Sequence, residues 1–303
     1  MIALRGILAP VVTPFGENGD IDLDAFAHNV RAHLDAGLCG IVVAGSTGEA
    51  ALLDDAERNA LVERARREIV GDRSLLVGTG AESTRATISR TRSAAERGAD
   101  AVLVVAPHYY GDAMTPDAML AHYRRIADES PVPVLLYTIP KYMHFALPPD
   151  VVAALAQHEN IIGMKDSSGD APLFARYLEL QSEQFRVLTG SGVLFGEALR
   201  LGAHGGILAV ALFAPECSLD VWRARERGDA EAALRAQEAL TPLAARIVGG
   251  FGVAGVKAAL DRVGLAGGAP RPPLRPLGMP ARAVLETLLR AAELAPAAEA
   301  LAR

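Results

Sequence analysis

The segment IIGMKDSSGD, residues 161–170, places one lysine directly after an apolar run. The apolar residues predict the buried end of a short strand, and a lysine is seldom left at the edge of a core unless it is paired or used chemically. Lys165 has three interpretations: a surface side chain that reaches solvent, an ion pair with Asp166, or an amine that forms a Schiff base with a ketone. Neighbouring strand residues point to opposite faces, which makes the pairing with Asp166 awkward.

Two further segments carry groups that suit the same chemistry. Tyr137 lies near the end of the apolar run PVLLYTIP, so its phenol faces either the core or the same site as Lys165. In AGSTGEAALLDDAER, residues 44–58, the hydroxyls of Ser46 and Thr47 lie between two glycines, after one apolar run and before a helical pattern. Such a loop either binds a carboxylate or phosphate or is a plain glycine-rich turn.

Other candidate sites have weaker patterns. The sequence HYY, residues 108–110, and His144 follow predicted strand ends, where a site or a subunit contact is expected. The seven histidines show no H-E-x-x-H or Cys/His spacing, so we expect no metal. GTGAES (78–83) and GSGVLFG (190–196) match only part of a dinucleotide fingerprint, which favours ordinary turns over a nucleotide cofactor.

Composition narrows the class of protein. The 303 residues carry a net charge of −6, which provides no basic surface for nucleic acid or an anionic membrane. Both cysteines, Cys39 and Cys217, adjoin apolar runs, so reduced thiols are expected. No apolar run in the sequence approaches the roughly 20 residues that cross a bilayer, and the start of the chain lacks a signal-peptide pattern. We therefore expect a cytoplasmic protein.

The order of elements predicts the scaffold. Eight apolar runs alternate with amphipathic stretches over the first two thirds of the chain, which indicates an α/β protein with a parallel sheet. Residues 54–70 show a helix pattern, with Asp54 as the cap and Glu57 three residues later. We predict a (β/α)8 TIM barrel over residues 1–220 and a C-terminal helical extension over 221–303; a doubly wound open sheet is the alternative.

Several segments together resemble one enzyme family. PVVTPF, GSTGE, GADAVLVVAPHYY, PVLLYTIP, IIGMKDSSGD, LTGS and LGAHGGI are similar, in order and spacing, to the dihydrodipicolinate synthase / N-acetylneuraminate lyase family of pyruvate-dependent class I aldolases. The resemblance covers nearly the whole chain. It implies a (β/α)8 barrel with a C-terminal helical extension, a homotetramer built as a dimer of dimers, and no cofactor beyond the covalent imine with the substrate.

The resemblance also assigns roles to individual positions. It implies that Lys165 forms the Schiff base and that Tyr137 relays protons. Ser46 and Thr47 would hold the carboxylate of the 2-oxo acid, and Tyr109 would join the relay across a dimer interface. Gly190 and Ile207 would lie beside the bound pyruvyl unit.

The chain departs from the family after YTIP. Dihydrodipicolinate synthases usually carry a small residue followed by Arg-Thr-Gly there, whereas this chain has Lys141, Tyr142, Met143 and His144. Lys141 could reach a substrate carboxylate, and the bulky residues through His144 predict a reshaped pocket. GTGAESTRAT, PHYY and FGVAGVKAALDRVGLAGGAPRPPL look most similar to 4-hydroxy-2-oxoglutarate aldolases.

We therefore expect a carbon–carbon lyase acting on a 4-hydroxy-2-oxo acid to give pyruvate and an aldehyde, or the reverse. The alternatives are 4-hydroxy-tetrahydrodipicolinate synthase, a dehydratase of a 2-oxo-3-deoxy sugar acid, a metal-dependent class II aldolase and a non-catalytic sensor of 2-oxo acids.

Overall fold

A computed structural model of the chain describes residues 4–294. Eight parallel strands pair in chain order and close into a barrel, because β1 pairs with both β2 and β8. The predicted (β/α)8 barrel is confirmed, and the alternative of an open doubly wound sheet is wrong. The strands are β1 (Gly6–Pro10), β2 (Gly40–Val43), β3 (Ser74–Gly78), β4 (Ala101–Val105), β5 (Val134–Thr138), β6 (Ile161–Asp166), β7 (Arg186–Thr189) and β8 (Gly205–Ile207).

Helices connect the strands around the outside of the barrel. The helix predicted at 54–70 runs from Asp55 to Glu68, and Asp54 and Glu57 form the predicted capping box. The helices between the strands are α1 (Leu23–Asp35), α2 (Asp55–Glu68), α3 (Thr84–Glu96), α4 (Pro116–Glu129), α5 (Pro140–Met143), α6 (Pro149–Leu155), α7 (Ala171–Leu178) and α8 (Phe195–Arg200).

The strand residues are almost all buried, since side chains fill the barrel interior and helices cover its outside. All strands are parallel, so their carboxyl ends meet at one end of the barrel. In the pairing of β5 with β6, Tyr137 lies opposite Lys165 and Thr138 opposite Asp166. Tyr137 and Lys165 therefore lie at the same height on neighbouring strands.

The C-terminal part is helical, as predicted. It comprises α9 (Pro215–Glu226), α10 (Ala230–Leu243), a π-helical segment (Ala244–Gly250), α11 (Phe251–Arg262) and α12 (Met279–Ala291). The boundary predicted between residues 220 and 221 falls inside α9, which contacts both β1 and α10. Residues 295–303 of the predicted extension lie outside the described residues.

The helical run Ala230–Arg262 corrects one expectation from the sequence. Its 33 residues are long and apolar enough to cross a membrane by length and composition alone, although no such run was expected. The backbone is not one straight helix, because Gly252 has non-helical angles (φ 62°, ψ −146°) at a kink inside α11. Both pieces pack on neighbouring parts of the fold, as the core helices of many proteins do.

Candidate active site

Lys165 and Tyr137 lie side by side at the carboxyl ends of β6 and β5. Both side chains are buried, and Lys165 Nζ lies 4.4 Å from the centroid of the Tyr137 ring. The register of the two strands causes this contact, because residues opposite each other in a sheet project from the same face. The result is a lysine enclosed at the mouth of the barrel, where barrel enzymes build their sites.

Asp166 does not form the alternative ion pair. Its carboxylate accepts hydrogen bonds from the backbone N–H of Ser168 (3.0 Å) and from the Ser168 hydroxyl (2.8 Å). Burial raises the pKa of Asp166 to about 6, against an ordinary value of 3.8. The alternation of faces along β6 thus leaves Lys165 directed at the barrel mouth and Asp166 at the turn that follows the strand.

The loop after β2 brings hydroxyl groups to the same place. Ser46–Gly48 forms a single 3-10 turn, and Ser46 Oγ lies 3.4 Å from the hydroxyl oxygen of Tyr137. Thr47 lines the cavity next to it. The turn exposes small hydroxyls beside the phenol, which is an arrangement that can bind an anion and pass protons.

A cavity of about 210 Å³ lies at this end of the barrel. Seven of the nine predicted site residues line it, and Ser167 and Ser191 line it as well. No carboxylate occurs among the residues that the structure describes as lining this cavity. The seven predicted residues are Ser46, Thr47, Tyr137, Lys141, Lys165, Gly190 and Ile207.

Gly190 is in close contact with the lysine. A Cβ atom added at this position would lie 2.8 Å from Lys165 Cε and 1.9 Å from Ser167 Oγ. A larger residue at position 190 therefore cannot fit unless the side chains of Ser167 and Lys165 shift. Ile207 forms the wall at the end of β8, where it is fully buried.

Helix α5 lines the outer part of the cavity. Lys141 Nζ donates a hydrogen bond of 2.9 Å to the backbone oxygen of Gly249, across from α5 on the C-terminal extension. Tyr142 is partly exposed and lines the cavity as well. Burial, and secondarily the nearby Tyr137, raise the pKa of the Tyr142 phenol. The outer part of the cavity thus presents one ammonium and one phenol.

The structure does not bring the other two predicted residues into this cavity. Tyr109 and His144 line a second groove, together with His108, Tyr110 and Phe145. Tyr109 is 79% exposed, and its ring packs edge-on against Tyr110. His144 ends α5 in the left-handed conformation (φ 65°), which turns the chain away from the cavity. Within a single copy of the chain, neither side chain reaches Lys165.

The sequence did not reveal the wall that the C-terminal extension contributes. Val248, Val253 and Val256 line the cavity, so the helical run after α10 passes over the barrel mouth. The only signal in the sequence was the run IVGGFGVAGV, whose small residues permit close approach of a backbone. Within residues 4–294, no three His, Cys, Asp or Glu side chains group closely enough to hold a metal ion.

The fold is a (β/α)8 barrel, and the cavity lies at the carboxyl ends of its strands, where the enzymes of this class have their sites. Residues 3–292 match the dihydrodipicolinate synthetase family. The chain is 37% identical, over 94% of its length and 93% of the relative's, to an uncharacterized DapA-like lyase of Halobacterium salinarum. It is 34% identical, over 92% and 95%, to the 4-hydroxy-tetrahydrodipicolinate synthase of an Exiguobacterium species.

Solved structures agree with this result. YagE of Escherichia coli K12, a member of the same family solved in complex with pyruvate, superimposes with a TM-score of 0.90 at 30% identity, over 96% of this chain and 99% of the other. The dihydrodipicolinate synthase of Acinetobacter baumannii, also complexed with pyruvate, superimposes with a TM-score of 0.91 at 30% identity and the same coverage. This chain belongs to the dihydrodipicolinate synthetase family, a family of pyruvate-dependent lyases and synthases.

Proposed function

We propose that the protein is a class I aldolase that cleaves or forms a 4-hydroxy-2-oxo acid through an imine on Lys165, without a cofactor, in the cytoplasm. One observation carries the proposal: Lys165 Nζ lies against the Tyr137 ring in an enclosed cavity, and the Tyr137 hydroxyl lies 3.4 Å from Ser46 Oγ. An amine, a phenol and a hydroxyl in this order supply a nucleophile and a path for its protons.

The reaction follows from these groups. The neutral amine of Lys165 attacks C2 of the 2-oxo acid, and the carbonyl oxygen leaves as water after it gains protons by way of Tyr137. The protonated imine withdraws electrons from C2. When the C4 hydroxyl loses its proton, the C3–C4 bond breaks, the aldehyde leaves and the bonding pair forms an enamine. Protonation at C3 and hydrolysis then release pyruvate and restore the lysine.

The remaining predicted residues have roles in binding. Ser46 and Thr47 would hold the substrate carboxylate, and Gly190 and Ile207 would flank the pyruvyl carbons. Tyr109 is proposed to enter the proton path of a second copy of the chain, because it is exposed in an aromatic groove rather than directed at its own cavity. This assignment implies at least a dimer and is consistent with the proposed homotetramer.

The residues of α5 favour an aldol substrate over aspartate semialdehyde. In the synthases that this chain resembles, an arginine usually follows the small residue after YTIP. This chain has Tyr142 at that position. The second candidate is 4-hydroxy-tetrahydrodipicolinate synthase, since relatives at 34% identity bear that name and Lys141 offers a cation for a carboxylate. His144 is proposed only as a residue that shapes the loop, given its position outside the cavity.

Two experiments test the proposal. Borohydride reduction in the presence of pyruvate should attach a three-carbon adduct to Lys165, and Lys165→Ala should abolish it, whereas Lys141→Ala should keep it. Pyruvate bound without any adduct would indicate the non-catalytic sensor instead. A panel of 4-hydroxy-2-oxo acids, assayed for pyruvate release beside aspartate semialdehyde condensation and 2-oxo-3-deoxy sugar acid dehydration, identifies the reaction. Equal or greater activity with aspartate semialdehyde would overturn our preference for the aldol substrate.

A further inference from the structure

A buried ion pair links the loop of Ser46 and Thr47 to the C-terminal extension. Lys257 Nζ on α11 lies 2.6 Å from Glu49 Oε1, and both side chains are completely buried. Lys257 also donates hydrogen bonds to the backbone oxygens of Thr13 (2.8 Å) and Ala269 (2.9 Å). All three donors of the ammonium are therefore used, and each binds a different part of the chain.

The carboxylate of Glu49 is held equally firmly. Its second oxygen accepts a hydrogen bond of 2.8 Å from the backbone N–H of Arg271, in the loop between α11 and α12. The Glu49 backbone adopts the left-handed conformation (φ 59°, ψ 35°), which a non-glycine side chain seldom adopts unless its surroundings impose it. Glu49 directly follows the 3-10 turn Ser46–Gly48, so these contacts fix where that turn ends.

Stability alone is a poor explanation for such a pair. A buried ion pair contributes little net stability compared with apolar side chains of the same volume, because both charges lose their hydration. The pair does, in contrast, fix the relative positions of the segments that it joins, because its hydrogen bonds reach several separate parts of the chain. Thr13 accepts a hydrogen bond from Lys257 through its backbone and donates one from its hydroxyl to the Gly48 oxygen (2.8 Å). The turn is thus held from the loop after β1, from α11 and from the loop after α11.

We propose that Glu49 and Lys257 are positioning residues, which hold the Ser46 and Thr47 hydroxyls in register with Tyr137 and thereby couple the C-terminal extension to binding of the 2-oxo acid. The proposal rests on the proposed function, in which these hydroxyls bind the substrate carboxylate. Helix α11 then both holds the turn, through Lys257, and forms part of the cavity wall, through Val253 and Val256.

The test uses a pair of variants and a matched control. Glu49→Gln combined with Lys257→Met removes both charges and leaves none buried without a partner. Glu49→Gln alone keeps the shape but leaves the Lys257 ammonium without its counter-charge, so it perturbs the same contact in a second way, and whichever of the two variants folds is measured. Asn29→Leu is the control. Asn29 is buried and exchanges two hydrogen bonds with Ala266 (2.7 and 2.9 Å), so it also anchors the segment after α11 but does not contact Glu49.

We expect KM for pyruvate or the 2-oxo acid to rise about tenfold or more in the double variant, since a displacement of the order of 1 Å is enough for such a loss. The adduct at Lys165 should still form at saturating pyruvate, and amide exchange of residues 44–52 should accelerate. Glu49→Gln should change both quantities in the same direction by at least as large a factor, because it leaves the Lys257 ammonium buried without its counter-charge. Asn29→Leu should lower the melting temperature and leave KM and the exchange of residues 44–52 unchanged.

Two outcomes would overturn the proposal: a folded double variant with wild-type KM and wild-type exchange in the loop, or equal changes in Asn29→Leu. Failure of the proposed function looks different, because the wild-type protein itself would then form no adduct. In that case the exchange of residues 44–52 still decides whether Glu49 and Lys257 position the turn.

Discussion

Gly190→Ala tests whether the position of Lys165 controls the reaction rate. The added Cβ would lie 2.8 Å from Lys165 Cε, whereas carbon atoms in favourable contact are about 3.5–4.0 Å apart. Relief of this contact requires a relative shift of roughly 0.7–1.2 Å between Lys165 Cε and the new Cβ. The Ser167 hydroxyl, 1.9 Å from the same Cβ, must also turn aside. The backbone N–H of residue 190, which donates to the Asp166 oxygen at 2.6 Å, is retained in alanine, so the strand connection is preserved.

The expected loss follows from that displacement. A misplacement of about 1 Å in a reacting group costs about 100-fold in rate, or about 2.7 kcal/mol of barrier. We expect kcat/KM for pyruvate release to fall by about 10- to 100-fold, and the borohydride-trapped adduct to accumulate more slowly at equal pyruvate concentration. Circular dichroism and the melting temperature show whether the fold is retained.

Gly278→Ala is the matched control. Gly278 precedes α12, and a Cβ added there would meet nothing closer than Pro280 Cδ at 3.9 Å. This variant should trap pyruvate at the wild-type rate. If Gly190→Ala is folded and forms the adduct as fast as the wild type, the contact with Lys165 does not limit the reaction and the reasoning is refuted.

Three further predictions follow from the site and the core. Tyr137→Phe should lower kcat by about 100- to 10,000-fold and change its pH profile, because the phenol next to Ser46 would be lost; a wild-type profile would contradict this. Lys141→Met should raise KM for aldehydes that bear a carboxylate more than for uncharged ones in the condensation assay; equal effects would assign Lys141 to the contact with Gly249 alone. Burial lowers the pKa of His33 from 6.5 to about 4, so the unfolded chain binds more protons between these values and stability falls as the pH drops. Urea unfolding should show a loss about 2 kcal/mol larger in the wild type than in His33→Leu between pH 7 and pH 5, and parallel losses would refute the assignment.

The local patterns of the sequence were sufficient to predict the barrel. Each strand has enough consecutive apolar residues to be buried on both faces, and the Asp54–Glu57 pair marks the start of α2. The ends of elements were less predictable. The last apolar run in the sequence, GGILAV (205–210), extends to Val210, but β8 ends at Ile207 because Ala209–Leu212 forms a 3-10 turn. That turn depends on contacts with β1 and the C-terminal segment, which no local pattern encodes.

The predicted site residues also fall into two groups, those whose place follows from the strand patterns and those whose place depends on tertiary contacts. Lys165, Tyr137 and Ser46 follow strand runs, so the barrel alone brings them to one end. Tyr109 and His144 also follow strand ends, but Tyr109 lies beyond three loop residues and His144 lies at the end of α5, so the positions of both depend on tertiary contacts. The Glu49–Lys257 pair joins residues 208 positions apart, and neither residue has a pattern that names its partner.

In the proposed reaction, the C-terminal extension would allow one barrel to change its second substrate while it keeps the imine chemistry. The pyruvyl end of the cavity is built from strand ends, which the closed sheet fixes against one another. The outer end is built from α5 and the segment after α10, which are joined by the hydrogen bond from Lys141 to Gly249. Under the proposed function, substitutions on α5 should therefore alter the aldehyde that is accepted without moving Lys165. Substitutions that displace α11 act at both ends, because Lys257 on the same helix holds the turn of Ser46.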